Sequence, residues 1–182
     1  ITLTPHATDP AQLTVTGSAM ETHHFAVPTT SLTIDGLAGT DSVTVSGAIA
    51  LGSTTLTILA ETITLPAGAA ITTTGDVTLT AEATGDATAD TADATATASI
   101  AGTVSAAALA VTARARHLVS LTGQTADADV TRTLTSTALA ELAATAIVNV
   151  ATLQLIAESV IDFLYEGSAP TTTPWSGTGT IP

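Results

Sequence analysis

The segment SLTIDGLAGTDSVTVSG, Ser31 to Gly47, decides how the chain is read. It holds two five-residue runs, LTIDG (Leu32 to Gly36) and VTVSG (Val43 to Gly47). In each, apolar residues alternate with Thr, Ser or Asp until a small residue closes the run. Such alternation puts one set of side chains on a buried face and the other on a wet face, the pattern of a strand. The pattern returns on both sides of this segment. It appears as LTVTG (Leu13 to Gly17), LTILA (Leu56 to Ala60), VTLTA (Val77 to Ala81), LAVTA (Leu109 to Ala113) and VSLTG (Val119 to Gly123). Near-identical strands recurring along a whole chain mark a stacked architecture, in which each repeat buries its face against the next. The expectation is an all-β fold, a β-solenoid segment.

Composition sets bounds around this reading. A chain of 182 residues fits one domain or one segment of a longer array. Hydrophobic residues make up 45%, enough for a core, yet the aromatics are only Phe25, Phe163, Tyr165 and Trp175. Val, Ile, Leu, Ala and Thr must therefore fill the interior, which suits a narrow one. There is no Cys, so disulfides and thiolate metal sites are excluded. The net charge is −13, with 16 acidic residues against three Arg and no Lys. Nucleic acid and anionic membrane are poor partners for such a surface. No run of eighteen apolar residues could span a membrane as a helix, and no basic-then-apolar leader is present. The chain opens inside a strand-like ITLT and closes on TGTIP, which reads as a processed or excised piece of a larger precursor.

Residues 1 to 80 carry the cleanest strand signals, punctuated by Pro5, Gly17, Pro28, Gly36, Gly47, Gly52, Pro66 and Gly75. Residues 81 to 106 are low in complexity. Either they form an acidic linker, or they form small-residue strands in which Ala94, Ala96 and Ala98 alternate with Thr95, Thr97 and Ser99; unbroken continuity into ALAVTA favours the strands. Residues 138 to 165 carry two patterns at once. Leu139, Leu142, Ala146, Val150, Leu153, Ala157, Val160 and Leu164 form a helical stripe, whereas Ile147, Val148 and the run LQLIAES favour strands. Strands are expected, with a short helix near 138 to 165 as the competing reading. The solenoid is expected to span 1 to 165, and 166 to 182 to be an extended Pro/Gly/Thr-rich tail or docking arm.

Three stretches, Ser31 to Gly47, Leu65 to Gly85 and Ala98 to Ala115, resemble repeats of large bacterial surface and secreted proteins of the haemagglutinin-like and LEPR-XLL types. The resemblance implies a right-handed parallel β-helix, export, surface display and a scaffold or adhesive role. It transfers no catalytic residue.

Candidate sites are few. Gly36 to Val43 resembles one copy of the nonapeptide calcium repeat of RTX proteins, with Asp35 and Asp41 as the carboxylates; the alternative is a β-turn with a solvated Asp. Glu21, His23, His24, Asp9 and His6 include metal-ligand types, but adjacent His residues on a strand point to opposite faces. Arg114, Arg116 and His117 form a basic trio expected to pair with carboxylates of a neighbouring coil. Thr14/Thr16, Thr55/Thr57, Thr62/Thr64, Thr78/Thr80 and Thr95/Thr97 could order water on a flat face, although their spacing in sequence is irregular. PTTTP (Pro170 to Pro174) could carry O-linked sugar. The carboxylates are scattered among turns and no nucleophile elbow occurs, so no enzyme is expected. The expected function is a structural segment of an extracellular fibre or adhesin stalk, secreted or on the surface of a bacterial or archaeal cell. It would join identical subunits or neighbouring repeats head-to-tail through open ends, or by strand exchange of residues 1 to 4 or 168 to 182, with Ile1, Leu3, Trp175 and Ile181 at the joint. The alternative is a binding module recognising calcium, glycan or ice through a Thr/Asp face. No cofactor is expected beyond that calcium.

Overall fold

The computed structural model describes residues 1–18, 20–85, 91–120 and 133–164. They are all-β, and no helix occurs among them. The first three strands, β1 (Thr2–Pro5), β2 (Gln12–Gly17) and β3 (Met20–Ala26), form an antiparallel meander. Every later pairing is parallel. After β4 (Ser31–Asp35), the chain makes a pass of three short strands: β5 (Ser42–Val45), β6 (Ala48–Ala50) and β7 (Thr55–Ala60). A second pass repeats it as β8 (Thr62–Leu65), β9 (Ala70–Thr72) and β10 (Val77–Gly85). The third and fourth passes are β11 (Thr91–Ile100) with β12 (Thr103–Ser120), and β13 (Thr133–Leu142) with β14 (Ile147–Leu164). The long β12 covers two strands of the pass before it, pairing first with β9 and then with β10.

Two curled sheets result. The first runs β13-β11-β8-β5-β1-β2-β3; the second runs β4-β7-β10-β12-β9-β6, with β14 laid along β12. Register explains why the five-residue runs look alike. Leu32, Leu56, Val77, Leu109 and Leu153 are successive partners, and so are Ile34, Ile58, Leu79, Val111 and Leu155. Val43, Ile63, Ala98 and Ala140 form a column on the first sheet, and Ile49, Ile71, Val104 and Val148 another on the second. Similar aliphatic side chains stacked at the interstrand distance of ~4.8 Å fill the interior continuously, so no aromatic bulk is needed. Corners between strands are set locally. Gly47, between β5 and β6, has φ 75°, a conformation that strains any residue with a Cβ. Buried Thr hydroxyls satisfy corner carbonyls: Thr54 donates to the Pro28 carbonyl, and Thr73 donates to that of Thr54 at 2.6 Å.

The passes widen along the chain. On the first sheet, β5 and β8 have four residues each, whereas β11 and β13 have ten. On the second, β7 has six, β10 nine, and β12 and β14 eighteen. The added length has an interior of alanine. Ala81, Ala83, Ala92, Ala94, Ala96, Ala113 and Ala115 are all buried there. Small side chains let the two sheets approach closely enough for single hydroxyls to bridge them. Ser136 donates to the Ala115 carbonyl at 2.9 Å, and Ser159 to the Ser136 carbonyl at 2.8 Å. The low-complexity tract thus lies in strands over 81–85, 91–100 and 103–106, with alanine inside and Thr, Asp and Glu outside.

The competing helix near 138 to 165 is absent: residues 138–142 and 147–164 are strands. The helical stripe loses because β14 pairs with β12 along nearly its whole length, which demands a period of two on each side of the unpaired Ala151 and selects Val148 and Val150 before it and Leu153 and Leu155 after it as the inward set. The tail from 166 onward lies outside the described residues.

Candidate functional site

The two ends of the stack differ. At the N-terminal end, the first sheet does not stop at a bare parallel edge. β1 is hydrogen-bonded on both sides, to β2 and β5, and the meander continues to β3. Leu3 is buried in the chain's own core, and the Ile1 ammonium donates to the Ser42 carbonyl. Residues 1–4 are therefore built into the sheet and are not a free arm. Trp175 and Ile181, and the arm 168 to 182, lie outside the described residues.

At the C-terminal end, β13 pairs only with β11, and β14 only with β12, among the described residues. Their outer edges are long rows of backbone donors and acceptors, and the core is open beneath them. Leu109 is 1% exposed, but its column neighbour Leu153 is 46% exposed; Val111 and Leu155 stand at 0% and 45%. Ile161 sits one position beyond His117 in the same sheet and is also exposed. Side chains that each inner pass buries are left uncovered by the last.

A second feature is a hydroxyl face on the first sheet. Thr16, Thr2, Thr44, Thr64 and Ser99 form one column across five strands, and Ser42, Thr62 and Thr97 form a parallel one. Neither column holds a charged side chain until Glu141, where the fourth pass also replaces the hydroxyl of the second column with Leu139. The Thr-x-Thr pairs look irregular in sequence for two reasons. Thr55/Thr57 and Thr78/Thr80 belong to the other sheet, and the passes differ in length.

Charges are placed by the same ladders. Glu82, Arg114 and Glu158 are successive partners on β10, β12 and β14. Arg114 Nε lies 3.0 Å from Glu158 Oε2, which bears out pairing with a carboxylate of the neighbouring pass for that residue. His117 departs from the expected trio. It shares parity with Ala113 and Ala115, so it points inward and is fully buried. Its ring occupies the space over Gly85, its partner on β10, where a Cβ would overlap it. Nε2 meets the Thr135 carbonyl at 2.8 Å and must carry the proton, while Nδ1 has no partner among the described residues. The alternation in ARARH, read by parity, carried that signal.

Asp35 and Asp41 lie on either side of the β4–β5 turn. Asp35 Oδ1 accepts the Leu37 N–H at 2.9 Å, and the Asp41 side chain packs beneath Gly36. The positive φ of this turn falls on Leu37, at 65°, and on Gly39. Glu61 Oε2 accepts the Asp41 N–H at 2.6 Å. A shallow depression of about 400 Å³ is lined by Asp35, Glu61 and Glu82 among others. His6 and His24 meet edge to face with centroids 4.7 Å apart, His24 Nδ1 lies 2.9 Å from Thr14 Oγ1, and His6 Nδ1 accepts the Asp9 N–H. His23 and His24 are consecutive on β3 and alternate faces. Among the described residues, no three His, Asp or Glu side chains converge as a metal centre would require, and no helix is long and apolar enough to cross a membrane. No family model matches the chain, and neither a curated protein nor a solved structure matches it.

Proposed function

We propose that the chain is a structural β-solenoid segment, a right-handed parallel β-helix in which each pass is one coil, from a secreted or cell-surface fibre or adhesin stalk. The open C-terminal coil carries this reading. A closed globular domain buries its last leucines; here the final coil presents Leu153, Leu155 and two long edges that no strand pairs among the described residues, the surface on which another solenoid layer stacks. Columns of similar aliphatic residues support the same role. Load applied along the chain falls on continuous parallel ladders, and each coil is held chiefly by its neighbours. Single-molecule extension of the full chain, held at its termini, tests the reading. Coils separated by 20 residues at Val43 and Ile63, and by 42 at Ala98 and Ala140, release unequal lengths. The expected steps are roughly 7 nm for a short coil and roughly 15 nm for a long one. Collapse in one unstructured low-force event overturns the reading.

The hydroxyl face favours a second reading, a binding module. Two columns of Ser and Thr stand ~4.8 Å apart along each column and ~6.7 Å between them, a rigid grid of donors and acceptors. On a chain of net charge −13 this face is neutral, which suits an uncharged ordered hydroxyl lattice such as ice or a crystalline polysaccharide. Thermal hysteresis, or retention on insoluble neutral glycan, abolished by Thr64→Tyr, supports it; absence of both effects in the unaltered chain removes it.

A further inference from the structure

The end left open among the described residues also determines what can close it. Under the solenoid reading above, on which this inference rests, a second copy could meet the C-terminal coil head-to-tail or tail-to-tail. The ends do not match in size. The N-terminal end offers β4 and β6, of five and three residues, on one sheet and the seven-residue antiparallel β3 on the other. The C-terminal end offers β14, of eighteen, and β13, of ten. Head-to-tail stacking leaves most of β14 and the alanine-lined width of the coil uncovered. Only another C-terminal end has strands of equal length, and only there do Leu153 and Leu155 meet a surface as apolar as their own.

We infer that two copies join through their C-terminal coils about a two-fold axis, β14 pairing antiparallel with β14 of the second copy and β13 with its counterpart. An axis perpendicular to the solenoid reverses strand direction in both sheets at once, so both edges are satisfied by one operation. The area is sufficient. β14 follows β12 across the corner at Ala151, so its eighteen residues give ~60 Å of strand contour; with the sheets at most ~10 Å apart this makes roughly 600 Å² per copy and ~1,200 Å² in total, the lower bound of specific interfaces. Glu158, on the joining strand, is already held by Arg114 on the strand beneath. The remaining charge works against the pair, since each copy carries −13, so added salt tightens it. The product is a rod of double length with two narrow ends facing outward.

The test uses the full chain. Sedimentation from low micromolar to sub-millimolar concentration is expected to give twice the single-copy mass, with a dissociation constant that falls as salt rises. Leu155→Asp on the open end is expected to weaken pairing at least tenfold, and Thr22→Asp on exposed β3 to leave it unchanged. Because Leu155→Asp could also loosen the coil, single cysteines at the outward positions Thr152, Gln154, Ile156, Glu158 and Val160 provide an independent reading. Oxidation should yield a covalent dimer at the position nearest the axis, and none from a cysteine at Thr22. Open-ended oligomers that Thr22→Asp disrupts overturn the two-fold joint while leaving the stalk reading in place. A single-copy mass at every concentration also overturns the joint, and the stalk reading then stands or falls on its own extension steps.

Discussion

Leu109 and Leu153 are partners in one column, so truncating each to alanine performs the same chemistry in two settings. Leu109 is sealed on every side. Its removal loses the transfer free energy of the side chain and leaves a cavity walled by Val77 and Leu153, which together cost ~2.7–5 kcal/mol. Leu153 sits at the open end with nearly half its surface in water. Full burial of a leucine is worth ~1.5–3 kcal/mol, so Leu153 gains about half of that, and no closed cavity follows its loss. In a single copy, Leu153→Ala should therefore cost about 1 kcal/mol, several-fold less than Leu109→Ala. Pairing changes the setting. Once a second copy covers the end, Leu153 becomes interior and its truncation approaches the cost at Leu109. Urea unfolding of both variants, at a dilute and a concentrated protein level, separates these cases, because unfolding of a pair depends on concentration and that of a single chain does not. Leu153→Ala matching Leu109→Ala in the dilute, single-copy regime would refute the argument, for it would mean that the chain closes this end itself.

Four further outcomes follow from the ladders. Gly85→Ala drives a Cβ into the His117 ring and should cost at least ~1–3 kcal/mol; in a His117→Ala background most of that penalty should vanish, which a double-mutant cycle in urea measures. Ala96→Leu forces apart two sheets that serine hydroxyls bridge, so a loss of ~1–3 kcal/mol is expected, read from the unfolding midpoint. Arg114→Ala breaks a pair whose side chains are both about half exposed and should change stability by less than ~1 kcal/mol, shrinking further in high salt. Leu37→Gly relieves a left-handed backbone that costs ~1–2 kcal/mol, against ~1 kcal/mol of extra chain entropy lost on folding, so a gain of up to ~1 kcal/mol in thermal unfolding is expected.

The strand periodicity was legible because burial on one face imposes it directly: LTIDG, LTILA, VTLTA and LAVTA fall in one register on one sheet. The alanine tract was legible as strand for the same reason. Other features needed three dimensions. VTVSG and LTVTG look like the other runs but lie on the opposite sheet, the second of them antiparallel, because a five-residue pattern reports which face is buried and not which neighbour buries it. The meander over the N-terminal end left no signature beyond turn residues. Asp35 carried the clearest ligand-like context, yet its carboxylate is engaged by the turn itself. The open end was invisible in sequence, since Leu153 and Leu109 sit in similar local patterns and differ only in having a described strand on one side or on both.

Uneven pass length is the feature that most obscures this chain in sequence, and the fold shows why it is tolerated. A stack requires that partners keep register across each ladder; it places no demand on how many residues separate them. Insertions can therefore enter wherever the interior accepts extra strand without extra volume. In β10 and β11, and again in β12, the added strand length carries alanine inside, so the sheets stay close and hydroxyls reach across. A larger inward residue there would have to be matched on every pass it touches. His117 is the case in point: one ring is admitted, and its partner on the preceding pass, Gly85, is the one residue type with no side chain. The cost of widening is borne at the end of the stack, where β13 and β14 have no outer neighbour among the described residues, and any partner that closes them has to be equally wide.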